Sequence, residues 1–387
     1  VHERQGSEMN HRERMMAALN HQQTDRVPID LGSTIVTTAT RVAYQNLLEH
    51  LGLPPDPEPN VSHRQMDTVY PREDLLQRYD ADARAVYLKG PWAFETKELP
   101  GDRFVDEYDL TWQKASFYYD VVERPFADLE RPSDLDSVQW PDPYDPGRVQ
   151  GVREEARRLY EETDYAIVAD IMCLGPFEGA CFMRGYEQFC MDLYWNRDMA
   201  HAILDKITQT DIALWDLFLD QVDPYVQVVA QGDDLGTQKA TWIAPDMFRK
   251  DVKPYLKQLY DFIHAKTEAK VFMHSCGSVF DLIGDLIECG VEALNPIQRS
   301  AAKMDIAQMK RQFGSELAFW GGGIDVQQEL PTATHDEIRR EVDYSIETLG
   351  RGGGYVFCAA HNLQPDITPD RIELMYQAAL AHGAVTA

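Results

Sequence analysis

The feature that most constrains this chain is a regular exchange, beyond about residue 160, between short apolar runs and helix-length amphipathic segments. Residues 165–171 (YAIVADI), 226–232 (VQVVAQG), 270–274 (KVFMH), 291–294 (VEAL), 317–321 (LAFWG) and 355–358 (YVFC) have the length and content of buried strands. Segments such as 244–266 and 335–349 separate most of them and carry a helical period. Apolar strands joined by helical crossovers build a parallel sheet covered on both faces. Adding strands near Val27 and Ala83 brings the number to about eight, which closes a (β/α)8 TIM barrel. An open doubly wound sheet is the alternative architecture.

Ahead of this region, residues 10–19 read as an amphipathic helix with Asn10 placed to cap it. A short strand over 25–32 ends at Gly32, and a helix over 41–51 is broken by the proline-rich run 54–59. The pattern changes over 96–125. There Gly101-Asp102 sits between extended segments, and aromatics recur at Tyr108, Trp112, Phe117, Tyr118 and Tyr119. This predicts a β-hairpin excursion whose rings either line a pocket or pin the excursion to the body. The expected organisation is an N-terminal helical extension (1–24) and a single barrel domain (25–387) carrying the excursion.

Lys and Arg total 37 against 64 Asp and Glu, a net charge of -27. Such a surface repels phosphate backbones and anionic lipid, so neither nucleic acid nor membrane is expected as a partner. No stretch is apolar enough to span a bilayer, and the opening residues lack a signal-peptide pattern. The six cysteines are too sparse for a secreted disulfide framework, which points to a reducing, cytoplasmic setting.

In a TIM barrel the reactive groups sit at the carboxyl ends of the strands. Here polar residues gather at those ends: 231–236 (QGDDLG), 274–277 (HSCG), Asn295-Pro296, 321–325 (GGGID) and 358–361 (CAAH). His274 and Cys276 are two apart and can turn to one side and share an ion. Zinc favours imidazole nitrogen and thiolate sulfur, and a catalytic zinc keeps three protein ligands and one open position. Cys358 and His361 both end the last strand and compete for the third place. Thiolate softness favours Cys358, which leaves His361 to bind substrate or to take the ion itself. Asp233 and Asp234 can orient a ligand or hold a proton; the alternative is a carboxylate that caps a helix or pairs with Lys239. Gly321-Gly322-Gly323 lacks a phosphate-loop ending and reads as a close-approach turn. Cys173, Cys181, Cys190 and Cys289 read as packing residues.

Residues 11–30 (HRERMMAALNHQQTDRVPID), 232–238 (GDDLGTQ), 273–278 (MHSCGS), 294–298 (LNPIQ) and 361–370 (HNLQPDITPD) resemble the uroporphyrinogen decarboxylase superfamily over almost the whole chain. Within it, the His-x-Cys pair followed by a distant Cys is similar to the zinc signature of corrinoid-dependent methyltransferases. The resemblance implies a (β/α)8 barrel and methyl transfer between a corrinoid protein and a thiol or methoxy-type small molecule. Zinc would be bound by His274, Cys276 and Cys358, with the cobalamin arriving on the partner chain. It also suggests a homodimer. True decarboxylases of the superfamily bind tetrapyrrole carboxylates with an arginine-rich amino-terminal segment, whereas residues 27–34 offer no arginine after Arg26. A metal-free lyase acting on a small acid is the competing enzyme class, and a non-catalytic binding protein the competing non-enzyme.

Overall fold

The computed structural model describes residues 9–170 and 175–383. Seven strands form one parallel sheet: β1 (Ala83–Tyr87), β2 (Ala166–Asp170), β3 (Val228–Gly232), β4 (Lys270–His274), β5 (Ala293–Asn295), β6 (Ala318–Trp320) and β7 (Tyr355–Val356). They pair in chain order, each with the next. Residues 28–30 join the two edges. Phe357 N–H donates to the Pro28 carbonyl and Asp30 N–H to the Phe357 carbonyl, while Asp82 N–H donates to the Ile29 carbonyl. The segment foreseen near Val27 is thus the eighth stave, and the sheet closes with no free edge.

Alternation along the strands sorts the side chains into two cores. Ala166 and Val168, Val228 and Ala230, Phe272, Ala293, Ala318 and Trp320, Val356 and Cys358 point into the barrel and pack on one another. Phe272 and Trp320 meet edge to face with centroids 5.1 Å apart. The intervening residues, among them Ile167, Val229, Val271, Leu294 and Phe319, face outward beneath the helices. The first helix, α1 (His11–Leu19), begins with a capping box in which Asn10 and Glu13 each bond the other's backbone. It plugs the amino-terminal end of the barrel with Met15 and Leu19. That leaves the carboxyl ends of the strands for chemistry.

The excursion is larger than the hairpin expected from the sequence. It is a four-stranded antiparallel meander of Lys97–Leu99, Arg103–Val105, Thr111–Lys114 and Tyr119–Glu123. Gly101 and Asp102 make its first turn at positive φ, as the dipeptide foretold. Its rings dock on the body: Trp112 lies 5.6 Å from Phe182, and the Arg64 guanidinium lies 4.0 Å from the Phe104 ring centre. Among the described residues no helix is long and apolar enough to cross a membrane.

Candidate metal centre

Two strand exits interlock to make the site. A Cβ on Gly277 would lie 2.6 Å from backbone atoms of Gly236 and Thr237, and one on Gly236 would lie 2.6 Å from the Cys276 carbonyl oxygen. Only glycines allow the loops after β3 and β4 to touch backbone to backbone. Side chains then fix the turn. Ser275 Oγ accepts from Leu235 N–H (2.9 Å), Gln298 Oε1 from Gly277 N–H (2.7 Å), and Asp234 Oδ1 from Cys276 N–H (2.7 Å).

On this support His274, Cys276 and His361 each bring one donor atom into a group whose members lie within 4.8 Å of one another. His274 Nδ1 is 2.6 Å from Asn295 Oδ1, and Asn295 Nδ2 donates to the Trp320 carbonyl at 3.0 Å. With its amide nitrogen committed there, Asn295 presents oxygen to the imidazole. The ring hydrogen is therefore on Nδ1 and the Nε2 lone pair is free. That Nε2 sits 3.3 Å from Cys276 Sγ. The His274 and His361 rings meet edge to face, centroids 5.2 Å apart. Burial lowers the His274 pKa, and burial together with His274 holds His361 down to about 3, so both rings are neutral donors. Asn362 N–H donates to His361 Nδ1 (2.7 Å). If His361 ligated an ion as a neutral imidazole, through either ring nitrogen, that bond would have to be given up. Two neutral imidazoles and one thiol are a donor set that zinc accepts. Replacing Asn295 by Leu should lower metal affinity by about 10- to 100-fold, read by competition with a chromogenic chelator, with unchanged affinity as the contrary result.

The two acids at the end of β3 have different positions. Asp233 is buried, and its oxygens accept from Phe177 N–H (3.2 Å) and Glu178 N–H (2.7 Å) at the start of α2 (Pro176–Arg184). It is a helix cap, supplied across space to an earlier helix. Gly175 makes room for it, since a Cβ there would lie 2.4 Å from Asp233 Cβ. Burial raises the Asp233 pKa to about 7 despite those bonds. Asp234 is the acid beside the group, its Oδ1 3.9 Å from His274 Nε2. A third acid, Glu178, escaped the sequence reading because it opens a helix rather than ending a strand. Burial and the charges of Asp234 and Asp233 push its pKa well up, and burial followed by Asp234 and Glu178 pushes up the Cys276 thiol.

Cys358, preferred above as third ligand, is grouped elsewhere. It is 1% exposed and packs with Phe272, Trp320 and Val356 inside the barrel, while a Cβ on Gly321 would lie 3.3 Å from its Sγ. Its alternation phase sends it into the interior layer. His361, three residues on, rises to the rim and joins His274 and Cys276. The Gly321–Gly323 turn is a close approach, as read: a Cβ on Gly322 would lie 2.7 Å from Ile297 Cβ. Cys181, Cys190 and Cys289 lie on helices; Cys173 falls outside the described residues. Tyr118 of the excursion also reaches the site. Its phenol oxygen takes a hydrogen bond from Gln364 Nε2, and its pKa is pushed up to about 12 by burial, with Cys276 adding to the rise.

The model of the uroporphyrinogen decarboxylase (URO-D) family matches residues 121–382. Curated relatives include uroporphyrinogen decarboxylases of Pelodictyon phaeoclathratiforme, 25% identical over 48% of this chain and 50% of that protein, and of Psychromonas ingrahamii, 20% identical over 62% and 67%. The chain thus spans about half the length of the first of these relatives. Among solved structures, a methyltransferase from Methanosarcina mazei superposes with a TM-score of 0.64 at 18% identity, covering 97% of this chain and 99% of that one. At that identity the likeness establishes the shared fold. A barrel of this topology, matched by the family model through every strand from β2 to β7, makes the chain a member of the uroporphyrinogen decarboxylase family.

Proposed function

We propose that this protein is a zinc-dependent methyltransferase that moves a methyl group between a corrinoid protein and a small molecule, with His274, Cys276 and His361 holding the ion. The observation that carries the reading is the convergence of these three donors at the carboxyl ends of the strands. Bound there, zinc supplies Lewis acidity: two neutral imidazoles and one thiolate offset only one of its two positive charges, which suits polarising a methoxy or hydroxyl oxygen. The chain's own groups do the rest. Asn295 fixes the His274 tautomer. Asp234 holds the Cys276 backbone and is the acid nearest the group, placed to take or return a proton. Asp233 keeps α2, and with it Glu178, against the site.

Porphyrinogen decarboxylation fits less well. Arg26 is committed at the opposite end of the barrel, where it donates to Asp82 (2.6 Å) and Asp80 (2.6 Å). The acid beside the donor group is Asp234, and a carboxylate there disfavours a polyanion. The test is methyl transfer from a panel of methoxy compounds to a Co(I) corrinoid protein, with metal-loaded and chelator-treated samples side by side. Metal-dependent methyl-cobalamin formation is expected. Decarboxylation of a carboxylated substrate that survives complete metal removal would overturn the reading.

A further inference from the structure

Asp170 ends β2 in the inward phase. Ala166 and Val168 point into the barrel, and Asp170 follows them as His274 follows Phe272 on β4. Both residues thus stand over the interior layer at the carboxyl ends of their strands. On the ring of staves, β2 is separated from β4 by β3, and from β7 by β1 and the closing stave. Asp170 is 3% exposed, and its Oδ2 accepts from Tyr70 OH (2.7 Å) and Ile35 N–H (2.8 Å). Ile35 belongs to the interior layer and Tyr70 packs on it. Tyr70 also stacks on Tyr87, the register neighbour of Asp170 on β1, with centroids 4.2 Å apart. The same segment reaches the donor group: Asn362 Nδ2 donates to the Ile35 carbonyl (2.9 Å), and Asn362 N–H to His361 Nδ1 (2.7 Å).

Asp170 Oδ1 is buried with no hydrogen-bond partner among the described residues. Three other buried acids at stave ends use both oxygens. Asp30 accepts from Ser33 N–H (3.0 Å) and Trp320 Nε1 (2.9 Å), while Asp82 is held by His11, Arg14, Arg26 and Ile29, and Asp233 by Phe177 and Glu178. An open buried acceptor carries a desolvation cost that a donor on a ligand would remove. Burial raises the Asp170 pKa to about 7, against the bonds from Tyr70 and Ile35 and with a further rise from Asp30. A donor arriving at Oδ1 would favour the ionised form. We propose that Asp170, braced by Tyr70, binds the substrate at this mouth, its Oδ1 accepting from a hydroxyl or ammonium group on the small molecule. The substrate class is then a short methyl-bearing molecule that also carries a hydrogen-bond donor. This rests on reading the His274–Cys276–His361 end of the barrel as the reaction site, but not on which ion or corrinoid serves it.

The experiment measures binding rather than methyl transfer, on full-length protein treated with a chelator, so that a failure of the zinc or corrinoid reading leaves its result standing. The probes are 2-methoxyethylamine, 2-methoxyethanol and 1,2-dimethoxyethane, of which the last has no donor, and binding is followed by saturation-transfer NMR titration. Wild type should bind the amine and the alcohol about tenfold more tightly than the diether. Asp170→Asn keeps an oxygen for Ile35 and Tyr70 but turns the open acceptor into an amide donor. It should bind the amine about tenfold more weakly than wild type does and leave the diether unchanged. Equal affinities of the three probes for wild type, or no binding of any of them, would overturn the proposal. So would an amine affinity unchanged in Asp170→Asn, which would pass the ammonium to another acid such as Asp234. If Asp170→Asn proves unfolded by circular dichroism, a wild-type crystal soaked with the amine decides. Its nitrogen within about 3.2 Å of Asp170 Oδ1 supports the assignment, and its nitrogen anywhere else overturns it.

Discussion

Asp82→Ala is expected to destabilise the protein by roughly 3–5 kcal/mol, the range for removing one partner of a buried ionic network. Asp82 is fully buried at the amino-terminal end of the barrel. Its carboxylate meets His11 Nδ1 (2.9 Å), Arg14 Nη1 (2.7 Å), Arg26 Nη1 (2.6 Å) and Ile29 N–H (2.7 Å). Three separate pieces of chain converge there: α1, the segment running from Arg26 to the closing stave at Ile29, and the entry to β1. Truncation leaves the buried Arg14 guanidinium with Asp25 alone as its ionic partner (2.6 Å) and removes the acceptor for Ile29 N–H. Burial alone would raise the Asp82 pKa, but His11, Arg26 and Arg14 outweigh it and hold the group below its ordinary value of 3.8. Asp25 is lowered likewise, to about 2. A folded-state pKa below the unfolded one gives stability that is complete above the unfolded value and lost as pH falls through the folded one. Wild type should therefore lose stability below about pH 4, and Asp82→Asn should be weaker at pH 7 with a shallower acid dependence. Urea midpoints at pH 7 and pH 3 measure both. A shift of under about 1 kcal/mol at pH 7 would mean that the network contributes little to closing the barrel.

Much of the barrel was legible in the sequence because its signal is periodic. Apolar runs of five residues or so, divided by helical segments, leave few alternatives, and the polar strand ends mark the rim in the sequence itself. His274 and Cys276 were readable for the same reason, as a pair two apart at one strand exit. The third donor depends on something that periodicity does not carry. Cys358 and His361 are three residues apart, and β7 has only two residues in its ladder, so alternation from Val356 places Cys358 but does not extend to the turn that carries His361. In the structure Cys358 packs in the barrel interior with Trp320, and His361 is the residue grouped with His274 and Cys276. Asp233 posed a similar problem. Its capped helix precedes it in sequence, and an acid that caps across space looks the same on paper as one that catalyses. Asn295 was visible at a strand end without a role, because its role is a hydrogen bond to a ring on the neighbouring strand. Tyr118 was one aromatic among six in the excursion, and only the tertiary placement of that meander separates it from the rings that dock on the body.

The largest functional effect is expected at the donor group itself. With three protein ligands, removal of any one should abolish stoichiometric binding, whereas truncating a thiol in the barrel interior should affect packing alone. Small-cavity changes of that kind cost about 1–3 kcal/mol and leave the rim in place. The decisive measurement is metal content, by plasma mass spectrometry, of wild type, His274→Ala, Cys276→Ala, His361→Ala and Cys358→Ala purified without chelator. The account predicts about one zinc per chain in wild type and Cys358→Ala, and almost none in the other three. Full zinc in His361→Ala with loss in Cys358→Ala would return the third place to the cysteine, and a wild-type protein that refuses zinc altogether would contradict the metal centre.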